Sequence, residues 1–218
     1  MANQPAVMKS PANKKDFDSA AATWDDKPQR VRLAQEVAEA LVRHLGLTSA
    51  MNVLDFGCGT GLLTLRLQPL VRTIVGADSS RAMLDLLNAK IGQAELDNVC
   101  SMNLDLEQGD TLKGKYHCIV SSMTLHHVRQ LEPLFAQFHR ALLPGGMVGL
   151  VDLDLDNGLF HDDNTGVFHF GFDRARLGGL LTAAGFVEVR DLTVTEIVKE
   201  AGNGTSRPFS VFLIIARK

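Results

Sequence analysis

Between residues 52 and 152 the chain alternates short apolar runs with segments of helical period. The runs lie at 52–56, 73–77, 98–103, 116–122 and 147–152, and helical patterns stand between them at 61–67, 81–91 and 131–143. Strands that are apolar at successive positions are buried on both faces. Their alternation with helices implies a parallel sheet covered on both sides. Upstream, residues 16–46 read as helical: Leu33, Val37, Leu41 and Leu45 recur every four positions, with Ala34, Ala38 and Val42 beside them. That spacing makes one apolar stripe, with Pro28 in a tolerated first-turn position and Gly46 placed to cap the far end. After residue 152 the rhythm changes. Residues 153–171 carry no clear period. A helix follows, with Asp173 at its N-cap, Leu177, Leu180 and Leu181 as its apolar face and Gly185 at its end. Residues 186–198 and 209–216 then read as two strands with no helix between them, so they should pair antiparallel. The expected fold is α/β, a doubly wound, mostly parallel seven-stranded sheet with an antiparallel last strand and helices on both faces.

Composition narrows this picture without changing it. With 218 residues, 45% of them hydrophobic, the chain can bury one substantial core. Residues 1–15 are polar and small and read as a disordered N-terminal arm, leaving 16–218 as a single domain. The arm lacks the apolar centre of a signal peptide, and no run approaches the ~20 apolar residues of a membrane span. The longest run, 141–151, is interrupted by Pro144 and glycines. Cys58, Cys100 and Cys118 are odd in number and form no Cys-x-x-Cys pair, which argues against a disulfide framework or a zinc knuckle and for a reducing, cytoplasmic compartment. The net charge of −3 makes nucleic acid a poor partner, because neutralising many phosphates requires a basic excess.

The chemistry concentrates where the first strand ends, in Val53-Leu-Asp55-Phe-Gly57-Cys-Gly59-Thr-Gly61. Glycines let a ligand touch backbone and accept positive φ, and a turn at the carboxyl end of a parallel strand is where ligands bind in such sheets. Dinucleotide-binding loops are spaced Gly-x-Gly-x-x-Gly. Here Leu62 occupies the third glycine's place, and the leading Asp55 suits an ammonium better than a pyrophosphate. Asp78, ending the second strand, lies 21 residues after Gly57, at the position of an acid that accepts from ribose hydroxyls. Those residues imply an adenosine-type ligand. A nicotinamide-dependent oxidoreductase is disfavoured by the loop spacing and the terminal hairpin.

Asp-Phe-Gly-Cys-Gly-Thr-Gly resembles the first motif of class I S-adenosylmethionine-dependent methyltransferases. The resemblance extends to Asp78-Ser79-Ser80 with Met83, to Asp105-Leu106, to Ile119-Val-Ser-Ser-Met-Thr-Leu-His-His127 and to Leu143-Pro-Gly-Gly146. It covers everything but the arm and leans toward the small-molecule branch that includes quinone-biosynthesis methyltransferases. The family implies S-adenosyl-L-methionine as cofactor and a seventh strand inserted antiparallel beside the fifth. It also implies that Gly57 and Gly59 pass close to the methionine part, within a loop that includes Cys58 and Gly61. Asp55 would orient the ammonium and Asp78, followed by Ser79, would hold the ribose. Met83 would pack on adenine, Asp105 and the Leu106 N–H would meet its edge, and the Ser121 and Ser122 backbone would line the methionine end. Where many relatives carry an Asp near the start of the fourth strand, this chain has His117.

The reaction implied is methyl transfer to a small organic acceptor by in-line displacement, which asks mainly for alignment and exclusion of water. The DNA-methylating Asn/Asp-Pro-Pro-Tyr and Pro-Cys motifs are absent. His126 and His127, after the fourth strand, are the candidate catalytic residues, with His127 favoured as a general base because an imidazole titrates near neutrality. Trp24, the single tryptophan, is a candidate lid over the sulfonium within 16–29. Cys58 reads as a small filler. Asp152-x-Asp154-x-Asp156-Asn-Gly158 departs from a calcium loop by one position and reads as a mobile polar loop over the acceptor, so no metal is expected. A non-catalytic methyltransferase-like binding protein is the other reading.

Overall fold

The computed structural model describes residues 15–200 and 206–218; of the expected arm, only Lys15 falls within them. Two helices lead in, α1 (Phe17–Ala21) and α2 (Pro28–Leu45). They are followed by β1 (Asn52–Phe56), α3 (Thr64–Leu67), β2 (Thr73–Asp78), α4 (Arg81–Gln93), β3 (Val99–Asn103), β4 (Tyr116–Ser122), α5 (Leu131–Ala141), β5 (Leu142–Leu153), α6 (Arg174–Ala183), β6 (Val187–Glu200) and β7 (Ser206–Arg217). The sheet order is β3-β2-β1-β4-β5-β7-β6. The first five strands pair parallel. β7 is inserted antiparallel between β5 and β6, with Met147 opposite Arg217 and Leu153 opposite Val211. Among the described residues no helix is long and apolar enough to cross a membrane.

Neighbouring residues of each strand serve opposite cores, as the period of two in a strand dictates. Leu54, Ile119 and Leu150 pack with Phe135 and Phe138 of α5 and Leu177 and Leu181 of α6. Val53, Val120 and Val151 pack with Val37, Leu41 and Leu45 of α2 and Leu67 of α3. Of the stripe read from the sequence, Ala34, Val37, Ala38, Leu41 and Leu45 are buried and Leu33 is partly so, whereas Val42 is exposed. Pro28 stands at its first turn, and Gly46 caps it at φ +60°, a left-handed angle that glycine adopts without strain.

Three expectations change in detail. The segment 16–46 is two helices, because Pro28 holds Lys27 in extended backbone (φ −87°, ψ 107°) and residues 22–27 turn across the top of the sheet. The helix expected over 61–67 is regular only from Thr64, since the glycine turn runs as far as Gly61. The stretch 153–171 is tied down by its own acids. Asp154 takes two bonds from Arg174, at 2.7 and 2.5 Å. Asp156 accepts from the Gly158 and Phe160 N–H groups at 2.7 and 3.2 Å, and Asp152 is wholly buried at the end of β5. The Asp-x-Asp-x-Asp series is thus three separate structural carboxylates, aimed at the chain's own donors.

Candidate active site

The parallel strands β1, β2 and β4 deliver their carboxyl ends to one rim of the sheet, and the glycine turn crosses it there. Gly57 and Cys58 donate their N–H groups to the Ala77 carbonyl at 2.7 and 3.0 Å, tying the turn to β2. Gly57, Gly59 and Gly61 have φ of +74°, +55° and +85°. Their missing side chains have different causes. A Cβ on Gly57 would lie 2.2 Å from Thr124 Oγ1, and one on Gly61 would lie 2.5 Å from Leu87. On Gly59 it would meet nothing closer than 3.9 Å, the nearest atoms being Trp24 Nε1 and Met83 Sδ. Two of the glycines make way for the protein itself. At Gly59, alone of the three, a Cβ would clash with nothing and make only ordinary contact with an indole and a thioether.

Asp78 braces this part of the turn. Its carboxylate accepts from the Gly59 N–H at 2.8 Å and from the Ser80 N–H at 2.9 Å, so it holds the turn and the start of α4 together. Ser79, next to it, gives its carbonyl to Asn103 Nδ2 at 3.3 Å. Met83 is buried in the first turn of α4. Asp55 is 1% exposed and accepts from the Thr64 hydroxyl at 2.6 Å. Burial pushes its carboxyl up to about 7, against the pull of the Thr64 bond and with the help of the Asp78 charge. A carboxyl so placed gains from a cation nearby. Cys58 packs with Leu84 and Leu87, and burial raises its thiol well above the ordinary range. That suits a filler and not a nucleophile.

Asp105 opens the 3₁₀ turn Leu106–Gln108 and accepts from the Glu107 N–H and Gln108 Nε2, both at 3.1 Å. Ser121 is buried and donates to the Phe56 carbonyl at 2.8 Å, while the Ser122 carbonyl takes a bond from Thr124 Oγ1 at 3.0 Å. His117 substitutes usefully for an acid: its Nδ1 accepts from the Asn52 N–H at 3.0 Å, holding the start of β1.

Over this rim lies the segment around α1. Asp18 accepts from Ser80 Oγ and the Ala82 N–H at 2.5 and 3.2 Å. Asp25 accepts from Thr60 Oγ1 at 2.5 Å and pairs with Lys90, whose ammonium also reaches the Thr60 carbonyl at 2.7 Å. Trp24 lies under the Arg30 guanidinium (3.6 Å to the ring centre) and edge-on to Phe17. Phe17 in turn meets His127 at 5.0 Å between ring centres. The sequence flagged Trp24; the Asp18, Asp25 and Lys90 latches carry no local motif and were legible only in three dimensions.

Past Thr124, the turn Leu125–His127 presents two imidazoles, and the loop after β5 brings a third, His161. Ring centres are 4.2 Å apart for His126 and His127 and 4.9 Å for His126 and His161. His126 is buried, and its Nδ1 bonds Asp152 Oδ1 at 2.7 Å. His127 Nδ1 meets the Gly166 carbonyl at 2.7 Å. Burial first, and then the neighbouring His126, drive the His127 imidazolium down to about 3, and burial likewise lowers His161 to about 4. The sequence argument favoured His127 as a general base. The ring with a carboxylate partner is His126. Asp152 and His161 stand beside these rings, and neither is among the site residues expected from the sequence. The available signal was an acid in an otherwise apolar strand, next in the sheet to the strand that leads to His126.

A family described as "Methyltransferase domain" matches residues 53–146. An uncharacterized methyltransferase of Schizosaccharomyces pombe is 32% identical over 137 residues, which span 56% of this chain and 48% of that protein. Another, from Synechocystis, is 31% identical over 159 residues, spanning 68% of this chain and 73% of that one. A phosphoethanolamine N-methyltransferase of Haemonchus contortus, solved with phosphomonomethylethanolamine and S-adenosylhomocysteine, superposes with a TM-score of 0.68 at 15% identity. That match covers 83% of this chain and 52% of that one.

Proposed function

The chain belongs to the class I S-adenosylmethionine-dependent methyltransferases, and from that premise we propose that it moves a methyl group onto a small organic acceptor, seated between the cofactor rim and the histidine wall. The observation that carries the cofactor half is the uncrowded Gly59, flanked by Trp24 and Met83 with its N–H held by Asp78. S-adenosyl-L-methionine supplies a methyl on a sulfonium, already activated for in-line displacement. The residues' tasks are to bind, align and exclude water. In this reading Gly57, Gly59 and Gly61, with Cys58 as filler, shape the loop along the methionine part, and buried Asp55 faces its ammonium. Asp78 and Ser79 serve the ribose. Met83, Asp105 and Leu106 frame the adenine, and the Ser121 and Ser122 backbone borders the sulfur end.

The acceptor half rests on His126 and His127, whose Nδ1 atoms are occupied, leaving Nε2 to face an acceptor hydroxyl, thiol or amine. They are proposed as the catalytic residues, acting by orienting that atom. A small acceptor fits a rim already roofed by α1 and the 153–171 loop, and the nematode protein of the same fold holds a small phosphorylated amine. Three free cysteines, two of them buried, support a reducing, cytoplasmic setting for a single domain over 16–218.

Calorimetric titration tests the cofactor directly. S-adenosylhomocysteine should bind and raise the melting temperature, and NAD should do neither. Asp78→Ala should weaken S-adenosylhomocysteine by roughly tenfold or more, since a charged acceptor worth ~1.5–3 kcal/mol is lost and the Gly59 N–H is released. Tight NAD binding without S-adenosylhomocysteine binding would overturn the reading.

A second expectation concerns the roof. The Asp18 and Asp25 latches join residues 16–27 to the rim by a few polar bonds with little apolar burial, a pattern of low local stability. Hydrogen exchange in 16–27 should be fast in the free protein and slow when S-adenosylhomocysteine is added. Equal, slow exchange in both states would make Trp24 a packing anchor only.

A further inference from the structure

We infer that His126, His127 and His161 form a binding site for a divalent transition metal of the zinc type, set in the wall of the acceptor pocket. The inference deepens the acceptor reading above and rests on it for its catalytic meaning, but not for its geometry. One ring nitrogen from each of the three residues lies within 4.8 Å of the other two. They come from two separate stretches of chain, the turn after β4 and the loop after β5, so the cluster is a product of the fold and not of local sequence.

The hydrogen bonds behind the rings fix which nitrogen is left. A carboxylate and a carbonyl can only accept, so His126 Nδ1 and His127 Nδ1 both carry their protons, toward Asp152 at 2.7 Å and Gly166 O at 2.7 Å. Each Nε2 therefore bears a lone pair. His161 Nε2 is the single buried side-chain nitrogen or oxygen without a hydrogen-bond partner among the described residues. Metal-ligating histidines characteristically give the second ring N–H to a carboxylate or a backbone carbonyl, which sets the tautomer and holds the ring. Both forms of that support occur here. Asp152 is itself held rigidly, fully buried and accepting from the Leu153 N–H at 2.8 Å and the His126 N–H at 3.3 Å.

The donor set selects the ion. Three imidazoles with no thiolate or carboxylate in the first layer suit zinc, cobalt, nickel or copper, and not calcium or magnesium. Zinc–nitrogen bonds of about 2.0–2.1 Å in a tetrahedron place nitrogens roughly 3.4 Å apart, so the three rings must draw together to close on an ion. His161 stands on a loop and can supply that movement. Three protein ligands leave a fourth position, the open arrangement of metal sites that engage a substrate. With Phe17 between His127 and Trp24, that position adjoins the roof of the cofactor rim. The acceptor class is then a molecule whose hydroxyl, thiol or amine can coordinate the ion, which would lower the proton affinity of that atom. Lys15 and Lys199 oppose the ion from the rim, and Asp152 is the buried anion that favours it.

The test uses the full chain, stripped with a chelator and titrated with zinc chloride or cobalt chloride. Wild type should bind one equivalent and show the visible absorption of tetrahedral cobalt. His161→Ala, on a partly exposed loop where folding is safe, should weaken binding at least tenfold and abolish the absorption. Asp152→Asn should weaken it roughly 10- to 100-fold, as loss of an outer support does. S-adenosylhomocysteine titrated into the same stripped samples reports separately on the cofactor reading, and His161→Ala should bind it as wild type does. Absence of stoichiometric metal binding by wild type would sink the proposal. So would binding that His161→Ala and Asp152→Asn leave unchanged, which would point to an adventitious ligand such as exposed Cys100.

Discussion

Gly57→Ala should destabilise the protein by about 2–5 kcal/mol, while Gly59→Ala should cost only about 1–2 kcal/mol yet lose the cofactor. Both positions have positive φ, and a left-handed conformation costs a residue with a Cβ roughly 1–2 kcal/mol. They part company in what surrounds them. At Gly57 the new methyl would overlap Thr124, with atoms at 2.2, 2.3 and 2.7 Å. Thr124 cannot simply swing away, since it is β-branched and its hydroxyl donates to the Gly57 and Ser122 carbonyls at 3.3 and 3.0 Å. Overpacking of that kind adds about 1–3 kcal/mol. At Gly59 the methyl meets no clash within the protein and stands where the methionine part of the cofactor is proposed to pass. For a chain of this length each kcal/mol moves the melting temperature by roughly 2–4 °C. Chemical denaturation with S-adenosylhomocysteine titration on both variants separates the two effects. Adding Thr124→Gly to Gly57→Ala should recover part of the stability. If Gly57→Ala proves as mild as Gly59→Ala, or Gly59→Ala binds S-adenosylhomocysteine normally, the division of labour within the loop is wrong.

Asp55 should make the free protein lose stability as pH rises from about 4 to 7. Its carboxyl is near 3.8 when unfolded and is pushed up to about 7 by burial in the fold, so across that window the native state holds the extra proton. The contribution is complete below the lower value and gone above the upper one, and amounts to at most ~4 kcal/mol at 1.36 kcal/mol per pH unit. His127 and His161 act oppositely. Their folded values are depressed to about 3 and 4, so they cost stability as pH falls below 6.5. The net curve is therefore flattened, and the clean measurement is a difference. Unfolding free energies of wild type and Asp55→Asn at pH 5 and pH 8 should show the variant gaining on wild type at the higher pH. A gap that does not change with pH would mean that Asp55 is ionised throughout. With S-adenosylhomocysteine present the gap should shrink, because a ligand ammonium beside Asp55 favours its carboxylate.

How far this was legible in the sequence varies from element to element. The parallel sheet, the stripe of α2, the cap at Gly46, the N-cap at Asp173 and the antiparallel β6–β7 pair all follow from local rules. Apolar period and capping chemistry act over a few residues, so one strand's neighbours along the chain are enough to read it. The Asp55–Gly61 loop and Asp78 were equally legible, because a turn at the end of a buried strand confines its chemistry to seven successive positions. The placing of β7 between β5 and β6 came from family resemblance and not from period.

Only the tertiary structure decided what each of those residues faces. Gly57 and Gly61 leave no room for a Cβ beside Thr124 and Leu87, whereas Gly59 does, a distinction invisible in the spacing. Asp25, Thr60 and Lys90 meet across 35 and 65 positions of chain to latch the roof. The preference for His127 over His126 assumed an ordinary imidazole. Burial makes the charged His127 ring costly, and Asp152, read as one of three loop acids, is the partner of His126. Local sequence determines which backbone forms, because hydrogen bonds and apolar period are short-ranged. Desolvation and charge pairing depend on which distant segments arrive together, so the proton affinities and the three-histidine cluster belong to the fold.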